Sequence, residues 1–195
     1  MPDNHAPDPR RREIADAVLS ITARAGLDAV SMRSVAAEAG CSLGLVQRLM
    51  GTKDALLSAA MARIIERVEE RLDVRADAAL PVRAVLDKLF AVLLADEYHE
   101  EGLVWGAFLA RALVSPALAA EARAQQAEAE AAVTFLLRTA ADAGELVDDA
   151  EPERDALALL ALADGLGTHM LLGHCDGATA RAALVAQLDR LFRRS

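Results

Sequence analysis

Residues able to do chemistry are sparse in this chain of 195 residues, and their spacing narrows what they can do. His169, His174, Cys175 and Asp176 bring metal-ligand types close together. The two histidines are five positions apart, so one helix face does not present both, and Gly173 interrupts the run. A helix end is expected there, with no metal bound. The sequence holds no Gly-x-Ser-x-Gly elbow, no glycine-rich phosphate loop and no His-Glu-x-x-His helix. The adjacent acids Asp148 and Asp149 fall in an expected loop and read as solvated. The expectation is therefore no catalytic residue and no cofactor. Gln47 and Arg48 are different. A glutamine can make two hydrogen bonds to adenine, and an arginine can meet guanine or a phosphate. That chemistry needs a short rigid element that carries both side chains outward.

The punctuation of the first sixty residues supplies one. Ile14, Ala17, Val18, Ile21, Thr22 and Ala25 recur at helical spacing, and Gly26 stops that helix. Ser31 can cap a second helix, Met32 to Ala39, which ends at Gly40. Ser42 can cap a third, Leu43 to about Met50, ending at Gly51, and Thr52 a fourth striped by Leu57, Met61, Ile64, Ile65, Val68 and Leu72. Two short helices joined by Gly40-Cys41-Ser42 make a helix-turn-helix, covered on its apolar side by the first helix. Such units read DNA or are purely structural, and spacing alone leaves both open. Cys41 in the turn reads as a small packing residue. Beyond Pro81 the pattern is of longer helices: to about Ala95, from Gly102 to Leu113, from Pro116 to Gly144, from Pro152 to about Gly173, and from Thr179 to Arg193.

Composition agrees. Alanine, the best helix former, occurs 44 times against six aromatic residues, and an all-α fold follows. Two cysteines form neither a disulfide framework nor a paired zinc spacing. The start, Met1 to Pro9, has no basic and apolar leader pattern, and the longest apolar run, Ala156 to Ala163, is far short of a membrane span. A soluble cytoplasmic protein, away from membranes, is expected. The net charge of -9 argues at first against nucleic acid. Its distribution removes that objection. Residues 1–57 hold seven basic and seven acidic groups, so the whole excess of acid lies in the other 138 residues.

Residues 10–60 resemble the DNA-binding domain of TetR-family transcriptional regulators. The stretch that carries the resemblance runs Gly26-Leu27-Asp28-Ala29-Val30-Ser31-Met32-Arg33-Ser34-Val35-Ala36-Ala37-Glu38-Ala39-Gly40-Cys41-Ser42-Leu43-Gly44-Leu45-Val46-Gln47-Arg48 and continues through Gly51-Thr52-Lys53-Asp54-Ala55-Leu56-Leu57. More loosely, Gly102 to the end is similar to the C-terminal domain of the betaine-regulator branch. The resemblance implies an N-terminal three-helix reader and a C-terminal helical domain for ligand and dimer, about nine helices in all. The expected division is a tail over 1–9, the reader over 10–57 and the body over 58–195. It implies a transcriptional regulator, expected to be a repressor, that meets double-stranded DNA at an inverted-repeat operator as a homodimer and is released by a small-molecule effector.

Site residues follow residue by residue. Ser31, Ser42 and Thr52 hold helix starts whose N–H groups favour phosphate. Gln47 and Arg48 would enter the major groove with Leu43 and Gly44 beside them. Arg33 matches the family's groove-reaching arginine and Lys53 its phosphate-contacting lysine. The alternatives are that Ser31, Ser42 and Thr52 are caps only, that Arg48 is a solvated charge, that Gln47 is exposed and idle, and that Lys53 only neutralises Asp54. Most members carry an aromatic residue at the positions of Gln47, Leu49 or Met50; this chain has none, which makes an adaptor with weakened or lost DNA binding the rival reading. In the body, Trp105, Phe108, Leu109, Ala112 and Leu113 form an apolar stripe, and Phe90, Tyr98, His99, Trp105, Phe108, Gln126 and Thr134 are the expected effector-binding residues. Leu159, Leu162, Leu166 and Met170 with Leu184, Leu188 and Leu191 are the expected dimer stripe, which would place two recognition helices roughly 34–36 Å apart.

Overall fold

The computed structural model describes residues 8–72 and 80–193. Nine α-helices run through the described residues: α1 (Pro9–Ala25), α2 (Met32–Glu38), α3 (Leu43–Leu49), α4 (Lys53–Leu72), α5 (Val82–Leu93), α6 (His99–Ala112), α7 (Pro116–Asp142), α8 (Pro152–Leu171) and α9 (Gly177–Leu191). Two single 3-10 turns, Leu27–Ala29 and Asp96–Tyr98, precede α2 and α6. The all-α expectation holds. Helix starts lie within three residues of their expected positions, because prolines and capping side chains mark them. The tail expected over 1–9 falls outside the described residues except at its end, where the Asp8 side chain accepts from the Arg10 amide and Pro9 opens α1.

The described residues form two compact units, one from those within 1–67 and 100–121 and one from those within 68–99 and 122–195. The first unit thus takes in more than the expected 10–57. Its core is built from Ile14, Val18 and Ile21 of α1, Val35 and Ala36 of α2, Val46 of α3, and Leu56, Leu57, Ala60 and Met61 of α4, all nearly without exposure. Each such aliphatic side chain contributes about 1.5–3 kcal/mol by leaving water. That packing is what holds α2 and α3, seven residues each, since helices this short do not persist alone. Thr22, buried in α1, returns its hydroxyl proton to the Val18 carbonyl at 2.8 Å.

In the second unit, α5, the later part of α7, α8 and α9 close on one core: Leu86 and Phe90 from α5, Val133 and Leu137 from α7, Leu159 and Leu160 from α8, and Leu184, Leu188 and Leu191 from α9. After α9 the chain turns back, and Phe192 pairs with Leu146 in an isolated antiparallel bridge, the sole β-pairing among the described residues. Val147 N–H donates to the Leu191 carbonyl at 2.9 Å, and Arg193 Nε to the Leu146 carbonyl at 2.6 Å.

One sequence cluster is explained here. At the end of α8 the His174 amide donates to the His169 carbonyl and the Gly173 amide to that of Met170. This helix-ending turn brings together the side chains at its two flanks, and the histidine rings meet edge to face at 5.4 Å. The turn sets their proximity. Among the described residues no group of three or more His, Cys, Asp or Glu is placed to hold an ion.

Candidate nucleic-acid interface

The turn between α2 and α3 is set by hydrogen bonds that the sequence makes available. The Cys41 amide donates to the Ala36 carbonyl at 3.0 Å and the Gly40 amide to that of Ala37 at 3.3 Å. This double closure needs a residue in the left-handed region between them, and Gly40 takes it at φ 60°. Ser42 then caps α3, accepting from the Leu45 amide at 3.2 Å. Before α2 the capping is reciprocal. Ser31 Oγ accepts from the Ser34 amide, and Ser34 Oγ accepts from the Ser31 amide at 2.9 Å. Thr52 Oγ1 accepts from the Ala55 amide at 3.0 Å at the start of α4. All three expected caps are formed, and Ser31, Ser42 and Thr52 remain exposed.

With α3 fixed by Val46, which is fully buried, its other faces point away from the core. Gly44, Gln47 and Arg48 are exposed, and Leu43 is half-buried. Arg33 on α2 is exposed as well. Among the described residues, Arg33 and Arg48 have no ion-pair partner and the Gln47 side chain makes no hydrogen bond. Lys53 is exposed and donates from Nζ to the Leu27 carbonyl at 2.8 Å.

Several acids of this unit are engaged elsewhere. Glu13 meets Arg10 at 2.5 Å. Asp16 on α1 accepts from Arg63 at 3.1 Å and from Arg67 at 2.8 Å, both on α4. Arg67 also reaches the buried Glu101 of α6 at 2.9 Å. Glu38 receives Arg24 at 3.0 Å and the Ser20 hydroxyl at 2.7 Å, and these bonds, Arg24 first, hold its carboxyl below the usual carboxylate range. Asp54 receives Arg111 Nε at 2.9 Å and Ser115 Oγ at 2.8 Å, with the same consequence, Arg111 first. Behind the zero net charge of residues 1–57, Glu13, Asp16, Glu38 and Asp54 are matched and Asp28 stays exposed, while the cations Arg33 on α2 and Arg48 on α3 face water.

The effector residues expected from sequence are spread over the two units. In the first, Phe108 is buried and Trp105 stacks on it, ring centroids 6.0 Å apart. The buried stripe of α6 is Glu101, Val104, Phe108 and Ala112; Leu109 and Leu113 of the expected stripe are exposed, because the helix is rotated by about one residue from that reading. In the second, Phe90 is sealed in the core, Tyr98 is buried under the Arg71 guanidinium, 3.9 Å from its ring centroid, and His99 is exposed. Gln126 and Thr134 are half-buried on α7. A cleft of about 230 Å³ in this unit is lined by Ala141, Gly144, Leu146, Val147, Asp148, Ala150 and Arg193, none of them expected from sequence.

The residues of the expected dimer stripe divide by burial. Leu159, Leu184 and Leu188 are fully buried and Leu191 nearly so, all within their own unit's core. Leu162, Leu166 and Met170 pack against that core. A side chain already buried in its own subunit has no area left for another. The face of α8 that does point outward carries Leu157, Ala161, Asp164, Gly165 and Thr168, and that of α9 carries Ala182, Val185 and Ala186. Leucine periodicity on α8 and α9 marked the core side, and the alanine and glycine positions marked the free side.

Comparison with known proteins bears on both parts of the chain. Residues 80–193 match the family model described as the C-terminal domain of BetI-type transcriptional repressors. The HTH-type transcriptional regulator PksA of Bacillus subtilis (strain 168) is 30% identical over 174 residues, spanning 88% of this chain and 83% of that protein. The HTH-type transcriptional regulator BetI of Paraburkholderia xenovorans (strain LB400) is 31% identical over 165 residues, spanning 80% and 79%. A crystal structure of a TetR-family transcriptional regulator from Rhodococcus sp. superposes with a TM-score of 0.84 at 24% identity, covering 94% of this chain and 98% of that one.

Proposed function

Because the chain belongs to the TetR family of transcriptional regulators, with a BetI-type C-terminal domain, we propose that it is a homodimeric repressor that α3 seats in the major groove of an inverted-repeat operator. The observation that carries this reading is the exposed, unpartnered pair Gln47 and Arg48 on a helix capped at Ser42. Gln47 and Arg48 read base edges, with Leu43 and Gly44 beside them. Arg33 reaches the groove from α2. Ser31, Ser42, Thr52 and Lys53 meet phosphate. The reader, residues 10–57, acts on a body, residues 58–195, that takes the effector and the second subunit. The outward faces of α8 and α9 meet the same faces of a second copy about a two-fold axis. Added Cβ atoms at Gly165 and Gly167 would meet nothing within 4 Å, so a partner helix can approach closely there. An effector that binds better to a form with wrongly spaced recognition helices shifts the population and releases DNA. His99, Gln126 and Thr134 of the second unit, which keep exposed area, are the candidates for its site.

The test titrates the full chain with a duplex from its own upstream region at several salt concentrations. Sequence-selective binding that weakens steeply with salt supports the reading; binding without either property overturns it. The lack of an aromatic residue from Gln47 to Met50 favours the rival, a helical adaptor with little DNA affinity. A footprint on an inverted repeat separates the two.

A further inference from the structure

Lys53 and Asp54 are neighbours at the start of α4, and an exposed lysine beside an aspartate would ordinarily share its charge with it. Here the two side chains are held by different groups. Lys53 Nζ donates to the Leu27 carbonyl at 2.8 Å. Asp54 Oδ1 accepts from Arg111 Nε at 2.9 Å and Oδ2 from Ser115 Oγ at 2.8 Å. Ser115 is buried and directly precedes α7, where its carbonyl already accepts the Ala119 amide as a helix-capping residue does. A hydroxyl has one proton, and this one is given to Asp54. Both carboxylate oxygens are thus occupied by donors from residues more than fifty positions away in sequence.

We propose that Arg111 and Ser115 serve DNA binding by holding the Asp54 carboxylate away from Lys53, so that the start of α4 meets phosphate as a cation rather than as a neutral pair. This rests on the reading above that Lys53 faces phosphate. Arg111 is then an electrostatic positioning residue for an interface it does not touch. With Arg111 gone, Asp54 keeps a full negative charge next to the phosphate-facing lysine, repels the backbone and offers Lys53 an intramolecular partner. Lowering of the Asp54 carboxyl by Arg111 and Ser115 is consistent with full ionisation at neutral pH. A purely structural clasp would behave differently, because losing either partner would then disturb α4 in the same way.

The experiment measures filter binding of the full chain to a random-sequence duplex of about 30 base pairs, over a series of salt concentrations. Random sequence isolates the phosphate contribution. Arg111→Ala is expected to weaken binding about three- to tenfold and to lower the salt slope by about one. Asp54→Asn is expected to bind at least as tightly as the native chain. The double variant Arg111→Ala with Asp54→Asn is expected to return to the Asp54→Asn value. Ser115→Ala should lose less, in the same direction, and should likewise be rescued by Asp54→Asn. Should Arg111→Ala fail to fold by circular dichroism, the Ser115 pair carries the same comparison. Unchanged binding by both Arg111→Ala and Ser115→Ala overturns the proposal, and so does a double variant as weak as Arg111→Ala alone. A native chain with no salt-dependent binding overturns instead the reading on which the proposal rests.

Discussion

The Gly177 amide donates to the Asp96 carboxylate at 2.7 Å, binding the first residue of α9 to the turn that precedes α6. A Cβ on residue 177 would lie 2.7 Å from the Leu94 carbonyl oxygen and 2.8 Å from Asp96 Oδ1, closer than any real contact, and neither group can yield without losing its bond. Arg181 donates to that same Leu94 carbonyl at 2.9 Å. Gly177→Ala is expected to destabilise the chain by about 1–3 kcal/mol. Thermal unfolding followed by circular dichroism checks this, with a midpoint lowered on the order of 5 °C. An unchanged midpoint would mean that the α9 start moves freely away from Leu94.

Acid should weaken the first unit in a defined window. Asp54 and Glu38 both ionise more readily in the folded chain than in the unfolded one. Their contribution is complete above the ordinary carboxylate value of about 4 and is lost as pH falls below it through the lowered folded value. The unfolding midpoint should hold from neutral pH to about pH 5 and decline below about pH 4. Asp54→Asn should make that decline shallower; an equally steep decline in the variant excludes Asp54 as a contributor.

Arg48 and Lys53 should part company in DNA binding. Arg48→Ala is expected to cost about 1–3 kcal/mol on the operator and to relax preference at one base position. Lys53→Ala should weaken operator and unrelated duplex alike. Competition between the two duplexes, measured for each variant, distinguishes the roles. Equal losses on both duplexes for Arg48→Ala would assign it to the backbone.

The two sides of α8 and α9 should respond oppositely. Leu157 is 51% exposed on the outward side, and Leu157→Arg is expected to yield folded monomers by sedimentation velocity. Leu188, fully buried, should on truncation to alanine cost about 2–5 kcal/mol of stability whatever the state of association. A dimer that survives Leu157→Arg moves the interface away from this face.

Much of the reader was legible because its signals are local. Ser31, Ser42 and Thr52 each bond an amide three positions on, and Gly40 closes its turn within six residues, so the chain alone specifies them. The body was less legible for a physical reason. On α8 and α9 most outward positions are alanine, glycine or valine, and hydrophobic periodicity cannot say which of two apolar faces is the core. The leucines went inward because they fill more volume, which fixes Leu184 and Leu188 as core rather than interface. The partners of Asp54 and Asp16 were hidden altogether, since Arg111 and Arg67 come from far along the chain and ion pairing leaves no periodic trace.

Trp105 is the chain's single indole, and it stands half-buried on α6, stacked on Phe108. Its emission therefore has no competitor of its own kind, and its half-exposed ring is sensitive to any change in local polarity. The molecule carries a built-in optical gauge, through which unlabelled protein can be screened against small compounds by watching one helix brighten, dim or shift in colour.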